Sequence, residues 1–483
     1  MAETKFQLPN WRIKMVEEIR QNTRRQRKKW ISEAHYNLLN LETNQVFIDL
    51  LTDSGTGAIS SRQWASSMRG NDTFQGSSPS NRVIEKVRLL FGLEHVLHLH
   101  KDQGEHILFS LLLGENNVVP GNSHSNSSRA HIECWKATAI DCPVDEAFLI
   151  ETYYPFKGNI DVQQLEYVLH NNANNVPFIL ISVTCNKTGG QPVSIHNLSQ
   201  VKHLARQYGV PVVLDSARFA ENAWFIQQRE PNYAAMTILE IVREMHQYAD
   251  AVIMRGGTNG LIDAGSILAM RDHTWFEAAS TSVPLFEEHL GLGAMTSQRM
   301  DLLMRGLDEA TCENQLRYRV GQVERFGEKL KNAGIPIQQP VGGHAIVIDA
   351  ASFLPYVRRE EFVAQTLAVE LYLEAGVRGM DTGTLMNDPD PVTGDNRYAE
   401  VEFLCLAVPR RVYVDEHLDV VVKALTDIYK RRTTIKDGLY IVNETRPLRY
   451  ITVSLGKMAE EDQRAAEDQG TKKADNLTAR YLG

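Results

Sequence analysis

Four stretches of the chain carry residues whose types and spacing can do chemistry. Val210–Arg218, VPVVLDSAR, runs an apolar strand into Asp215, with Arg218 three residues on. A carboxylate at the end of a buried strand needs a cationic partner. A protonated pyridine nitrogen is one such partner, and its charge makes the ring an electron sink; an Asp–Arg pair or a helix cap is the plainer reading. Phe178–Pro192, FILISVTCNKTGGQP, brings Asn186 and the Gly189–Gly190 turn to the end of a second strand. An amide there can hydrogen-bond a ring oxygen, or it can simply close the turn. Leu406–Tyr413, LAVPRRVY, offers Arg410 and Arg411 as a fork for a carboxylate, against a surface ion pair. The last stretch, HVLHLHKDQGEH, holds His95, His98, His100 and His106. His98 and His100 share one face of a strand. With His124, Asp102 and Glu105 they form a candidate metal or axial haem set, against solvated or hydrogen-bonded imidazoles.

These residues require a frame of strands ending in loops. Short apolar runs at His95–His100, Val118–Pro120, Phe178–Val183, Val210–Leu214, Ala251–Met254 and Ser266–Met270 predict strands. Helical patterns fall between them at Gly104–Leu113, Val162–His170, Asn197–Tyr208 and Met236–Gln247. Such alternation predicts an α/β fold with a mostly parallel sheet covered on both faces. Ligands of such sheets sit at the carboxyl ends of strands, where Asp215 and Asn186 fall. A further strand and glycine turn, Tyr248–Leu268 (YADAVIMRGGTNGLIDAGSIL), heads for the same edge, and no lysine lies between Lys202 and Lys329. One long helix is expected over Thr296–Ala333, followed by a second α+β unit.

Composition limits the partners. The 483 residues are 43% hydrophobic and 23% charged, with a net charge of −9. That balance gives no footprint for nucleic acid, and the basic run Arg20–Lys29 reads as a solvated helix face. No apolar run approaches the ~18 residues of a membrane helix. Cys134, Cys142, Cys185, Cys312 and Cys405 are scattered without a CxxC pair, so no disulfide or zinc framework is indicated. A cytoplasmic protein is expected.

From about Lys14 to Arg449 the chain resembles the β-eliminating lyases, tryptophanase and tyrosine phenol-lyase. LLTDSGTGAIS, VTCNKTGGQPVS, LDSARFAENAWFI, PVGGHAIVIDA and VPRRVY occur in that family's order and at similar spacing. The resemblance implies the fold-type I architecture of pyridoxal-phosphate enzymes, assembled as a homodimer or homotetramer. The expected organisation is an N-terminal arm over residues 1–57, a large sheet domain over 58–310, a small α+β domain over 311–456, and a charged tail over 457–483. It also implies roles. Asp215 faces a pyridine nitrogen, and Asn186 and Arg218 the ring hydroxyl. Arg410, Thr52 and Asn186 take a substrate carboxylate, and Ser54 lies beside the cofactor.

The chain departs from the family where that chemistry is concentrated. The cofactor lysine falls on Thr258, and a second family lysine on Gly257. The serine that contacts phosphate is Arg255. The phosphate loop, His-Gln-Gly-Arg-Gly in the family, reads His100-Lys101-Asp102-Gln103-Gly104 here. The ring-stacking aromatic is Ser125, and the catalytic tyrosine is Phe74, which has no proton to give. Lys187 is the nearest substitute amine. Three readings follow: an amino-acid or amine enzyme of altered chemistry, with pyridoxal phosphate held non-covalently or absent; a pocket given over to a metal or haem on His98, His100, His106 or His124; and a non-catalytic binding or partner subunit.

Overall fold

The computed structural model describes Arg12 and residues 16–68, 78–286, 295–390 and 393–458. Seven strands form the principal sheet: β1 (His95–Leu99), β2 (Val118–Gly121), β3 (Thr138–Asp141), β4 (Ile179–Ser182), β5 (Val212–Asp215), β6 (Ala251–Arg255) and β7 (Ser266–Met270). Their order is β1-β7-β6-β5-β4-β2-β3. Side chains alternate between two apolar layers, as the pleat demands. Ile179, Ile181, Val252 and Met254 enter one layer; Phe178, Leu180, Ala251 and Ile253 enter the other. Both faces are covered, which is why these strands read as unbroken apolar runs.

All neighbouring pairs are parallel except those of β7, which is antiparallel to β6 and β1. The short connection 256–265 explains this, because a parallel return needs a crossover of a dozen or more residues. Edge strand β3 was not expected; its few residues, TAID, show too short an apolar run to register a period. The long helix expected over Thr296–Ala333 is two, Ser297–Ala310 and Glu313–Asn332. Thr311 Oγ1 donates to Leu307 O at 2.9 Å, and Cys312 takes an extended backbone. The hydroxyl competes with the helix ladder at the break.

A three-stranded sheet, β8 (Ala345–Asp349), β9 (Met380–Asp381) and β10 (Phe403–Ala407), has β10 in the middle. Ile31, Leu38, Ile48 and Leu50 join its apolar cluster with Phe353, Leu371, Leu404 and Leu425. The chain's start thus packs with residues far along the sequence, and brings the loop 51–57 toward the carboxyl ends of β5 and β6. In the basic run, Arg27 is buried and donates to Leu373 O and Glu374 O at a helix end, unlike the solvated face expected. Among the described residues no helix is long and apolar enough to cross a membrane.

Candidate functional site

Asp53 is the hub of the site. It is fully buried, and Arg218, Arg319 and Arg410 converge on it. Arg218 Nε and Nη2 donate at 3.1 and 2.6 Å, Arg410 Nη1 at 3.0 Å and Arg319 Nη2 at 3.4 Å. Burial alone would raise the Asp53 carboxyl, but Arg218 and Arg410 hold it well below the usual carboxylate range. Arg410 Nη2 also donates to Glu221. Arg218 opens the helix Phe219–Arg229 at φ 60°, a conformation uncommon for a side chain of this size. That backbone turns its guanidinium back toward Asp53 and Asn186, whose Oδ1 accepts from Arg218 Nη1 at 3.4 Å and lies 3.1 Å from His344 Nε2. Burial and the neighbouring Arg218 keep His344 neutral, well below its ordinary value. Burial also brings Arg319 down to about 10. Its Nη1 is buried with no hydrogen-bond partner among the described residues.

Asp215 lies at the end of β5, accepts from Ala217 N at 3.1 Å and is 8% exposed. Burial pushes its carboxyl up, Arg255 pulls it down, and Glu105 adds to the rise. On the next strand, β6 ends at Arg255 and enters the glycine turn. Thr258 is 2% exposed, and its hydroxyl donates to Arg255 O at 3.0 Å. Asn259 Nδ2 donates to Glu221 Oε2 at 2.7 Å, tying this turn to the arginine cluster. Gly257 O accepts from Gly55 N, and a Cβ on Gly257 would lie 2.7 Å from Ser54 Oγ. Thr52 Oγ1 accepts from Ser54 N at 3.1 Å. Ser54 and Thr52 therefore stand against the turn.

Around Arg255 is a second polar knot. Glu105, in the first turn of the helix Gly104–Leu112, is 3% exposed. Its carboxylate accepts from Ser128 Oγ at 2.5 Å, Ser127 Oγ at 3.1 Å and Arg255 Nη2 at 2.9 Å. Burial opposes its ionisation, but Arg255 and Ser128 outweigh burial and lower its pKa. Ser125 caps the helix Asn126–Cys134 by accepting from Ser128 N at 3.1 Å, and its hydroxyl lies within 2.9 Å of those of Ser127 and Ser128. Burial pushes Asp102 up as well. Lys101 O accepts from Ser266 Oγ, Gln103 Oε1 is buried without a hydrogen-bond partner among the described residues, and Gly104 packs on Ile253.

The histidines proposed as a metal or haem set do not converge. His98 is 2.7 Å from Ser80 Oγ, His100 meets Arg299, His106 packs on Phe286 and His131, and His124 is 2.6 Å from Asp141 Oδ1. Each points to a different neighbour, because the strand ends before His100 and the helix Gly104–Leu112 turns His106 onto another layer. No cluster of three or more metal-ligating side chains occurs among the described residues. Nothing supports a metal or haem here. Lys187 lines a cleft of about 420 Å³ together with Arg129, Asp141 and Arg397. Its charge is felt by Asp141 and His124. Phe74 and the tail beyond residue 458 lie outside the described residues.

Asp53, Glu221, Arg319 and His344 were not singled out from the sequence, although Asp53, Glu221 and His344 lie inside strings that carry the resemblance. The available signal was a charged residue in an apolar setting, which needs a partner. The partners lie up to hundreds of residues away.

Known proteins fit this frame. A family model described as Beta-eliminating lyase matches residues 49–424. A probable beta-eliminating lyase of Trichomonas vaginalis is 46% identical over 93% of this chain and 98% of its own length. A tyrosine phenol-lyase of Nostoc punctiforme is 39% identical (91% and 94%), and a tryptophanase of Salinibacter ruber is 40% identical (93% and 96%). Among solved structures, serine palmitoyltransferase of S. paucimobilis with a bound PLP–myriocin aldimine aligns with a TM-score of 0.54 at 12% identity, covering 80% of this chain and 88% of that one. At that identity the likeness is one of fold, the fold-type I architecture.

Proposed function

Because the chain belongs to the β-eliminating lyase family, we propose that it acts on an amino acid or amine by chemistry that does not run through a lysine Schiff base. The observation carrying this reading is a charge imbalance across the pocket. Among the described residues Arg218, Arg319 and Arg410 form direct ion pairs with two carboxylates, Asp53 and Glu221, so three guanidinium groups share two direct partners, while Asp215 acts on Arg218 without an ion pair to it. An uncompensated buried charge is costly, and a ligand carboxylate supplies its partner. Toward β6, the charges of Asp215, Glu105 and Asp102 all act on Arg255, which is ion-paired with Glu105, and Asp215 is shared with Arg218, an environment suited to an ammonium group. A zwitterionic amino acid answers both ends. Relatives named tyrosine phenol-lyase and tryptophanase carry amino acids in their names.

In this reading Arg410 and Arg218 hold the carboxylate, with Asn186 and Thr52 beside them, and Asp215 takes the amine. Thr258 positions the turn through Arg255 O. Pyridoxal phosphate fits this site in one half only. Asp215 suits a protonated ring nitrogen, and a ring bound there would supply an electron sink. The opposite half holds Glu105 on the donors a phosphate would use, and Thr258 presents no amine. No step is therefore assigned to that cofactor. A homodimer or homotetramer belongs to the same proposal and is measurable by light scattering.

A thermal-shift comparison tests it, using L-amino acids, the matching amines without a carboxylate, and the matching acids without an amine. The amino acid should stabilise the protein at concentrations at least about tenfold lower than either fragment. Equal responses to all three, or none, would sink the reading.

A further inference from the structure

We infer that Glu105 is a built-in occupant of an anion cradle, so that the pocket admits only ligands without a phosphate group. Ser127, Ser128 and Arg255 converge on one small space at the amino end of the helix Asn126–Cys134. Hydroxyls, a guanidinium and a helix amino terminus together are the donor set that holds a phosphate. In this chain the two hydroxyls and the guanidinium already donate to the Glu105 carboxylate, and the helix amide of Ser128 donates to Ser125 Oγ. Glu105 arrives from the first turn of Gly104–Leu112, where helix polarity favours a negative charge.

Two further observations make exchange for an external phosphate unfavourable. Glu105 is 3% exposed, so displacing it would strand a carboxylate in a buried space or require its helix to move. Asp102 and Asp215 already act on the same Arg255, and a dianion would meet both with like-charge repulsion. The inference goes beyond the proposed function: an amino-acid ligand fits it, but the cradle would be filled whatever the rest of the pocket binds.

The test measures inorganic phosphate and, separately, pyridoxal phosphate against the native protein and a Glu105→Ala variant, by thermal shift at matched ionic strength and by equilibrium dialysis. The native protein should show no saturable binding of either anion in the pocket. Glu105→Ala, confirmed as folded by circular dichroism, should gain phosphate affinity of at least about tenfold. Glu105→Gln, which keeps the volume but removes the charge, should gain less. Saturable, stabilising binding of inorganic phosphate or pyridoxal phosphate by the native protein would overturn the inference, and this arm decides even where the variants do not fold. A folded Glu105→Ala protein with unchanged phosphate affinity would overturn it too. Failure of amino-acid binding with phosphate still excluded would remove the functional proposal and leave Glu105 in its role.

Discussion

At the scale of single residues, Asp53 sets the electrostatics of the site. Three guanidinium groups reach one fully buried carboxylate, an arrangement that is stable only while the carboxylate is charged. Removing one partner of a buried ion pair typically costs about 3–5 kcal/mol, because the other charge is left uncompensated. Asp53→Asn should therefore lower the unfolding free energy by about that amount, read from the denaturant midpoint at neutral pH. A loss within ordinary surface values would mean that the cluster is solvated. Asp215 and Arg410 stand out in the sequence because each follows an apolar strand. Asp53 does not, since LLTDSGTGAIS reads as a loop and its partners come from three other parts of the chain. The same distance in sequence conceals the bond from Glu105 to Arg255: the two residues are remote along the chain and adjacent only once β1, β7 and β6 pair.

Among the elements, the turn between β6 and β7 depends on close backbone packing. A Cβ on Gly306 would lie 1.8 Å from Gly260 O, so the helix Ser297–Ala310 can sit against the turn only with glycine there. Gln63 Nε2 reinforces the contact by donating to Leu261 O at 3.3 Å and Leu302 O at 3.2 Å. Gly306→Ala should force the helix away at a cost of about 1–3 kcal/mol, and a melting temperature equal to the native value would refute the packing argument. Periodicity located six of the seven sheet strands to within a residue or two, because β4, β5, β6 and β7 are buried on both faces. It could not orient β7, whose direction follows from the length of its connection, or find β3, which lies at the sheet edge. The helix break at Thr311 depends on one hydroxyl bond that composition does not reveal.

Across the whole molecule, buried neutral histidines link stability to pH. Burial lowers His246 to about 4; its Nε2 lies 2.8 Å from Ser216 Oγ and its Nδ1 2.6 Å from Val242 O. Its folded pKa is below its unfolded value near 6.5, so the unfolded chain takes up a proton first as pH falls. The native state is penalised progressively from pH 6.5 down to about 4 by this group. A His246→Gln variant lacks that titration. Its stability deficit at pH 7 should shrink by about 1.4 kcal/mol per pH unit through the window, measured by urea denaturation from neutral pH downward. A deficit independent of pH would show that His246 is solvated. The family was legible in the sequence, since long strings recur in order. The filled cradle was not, because Glu105 reads there as one more acid beside histidines.

The central claim is that this pocket takes an amino acid without pyridoxal phosphate, and calorimetric titration of L-amino acids into protein freed of that cofactor tests it most directly. Saturable, one-to-one binding that is unchanged when pyridoxal phosphate is added is the predicted result. Binding that appears only after pyridoxal phosphate is supplied would contradict it.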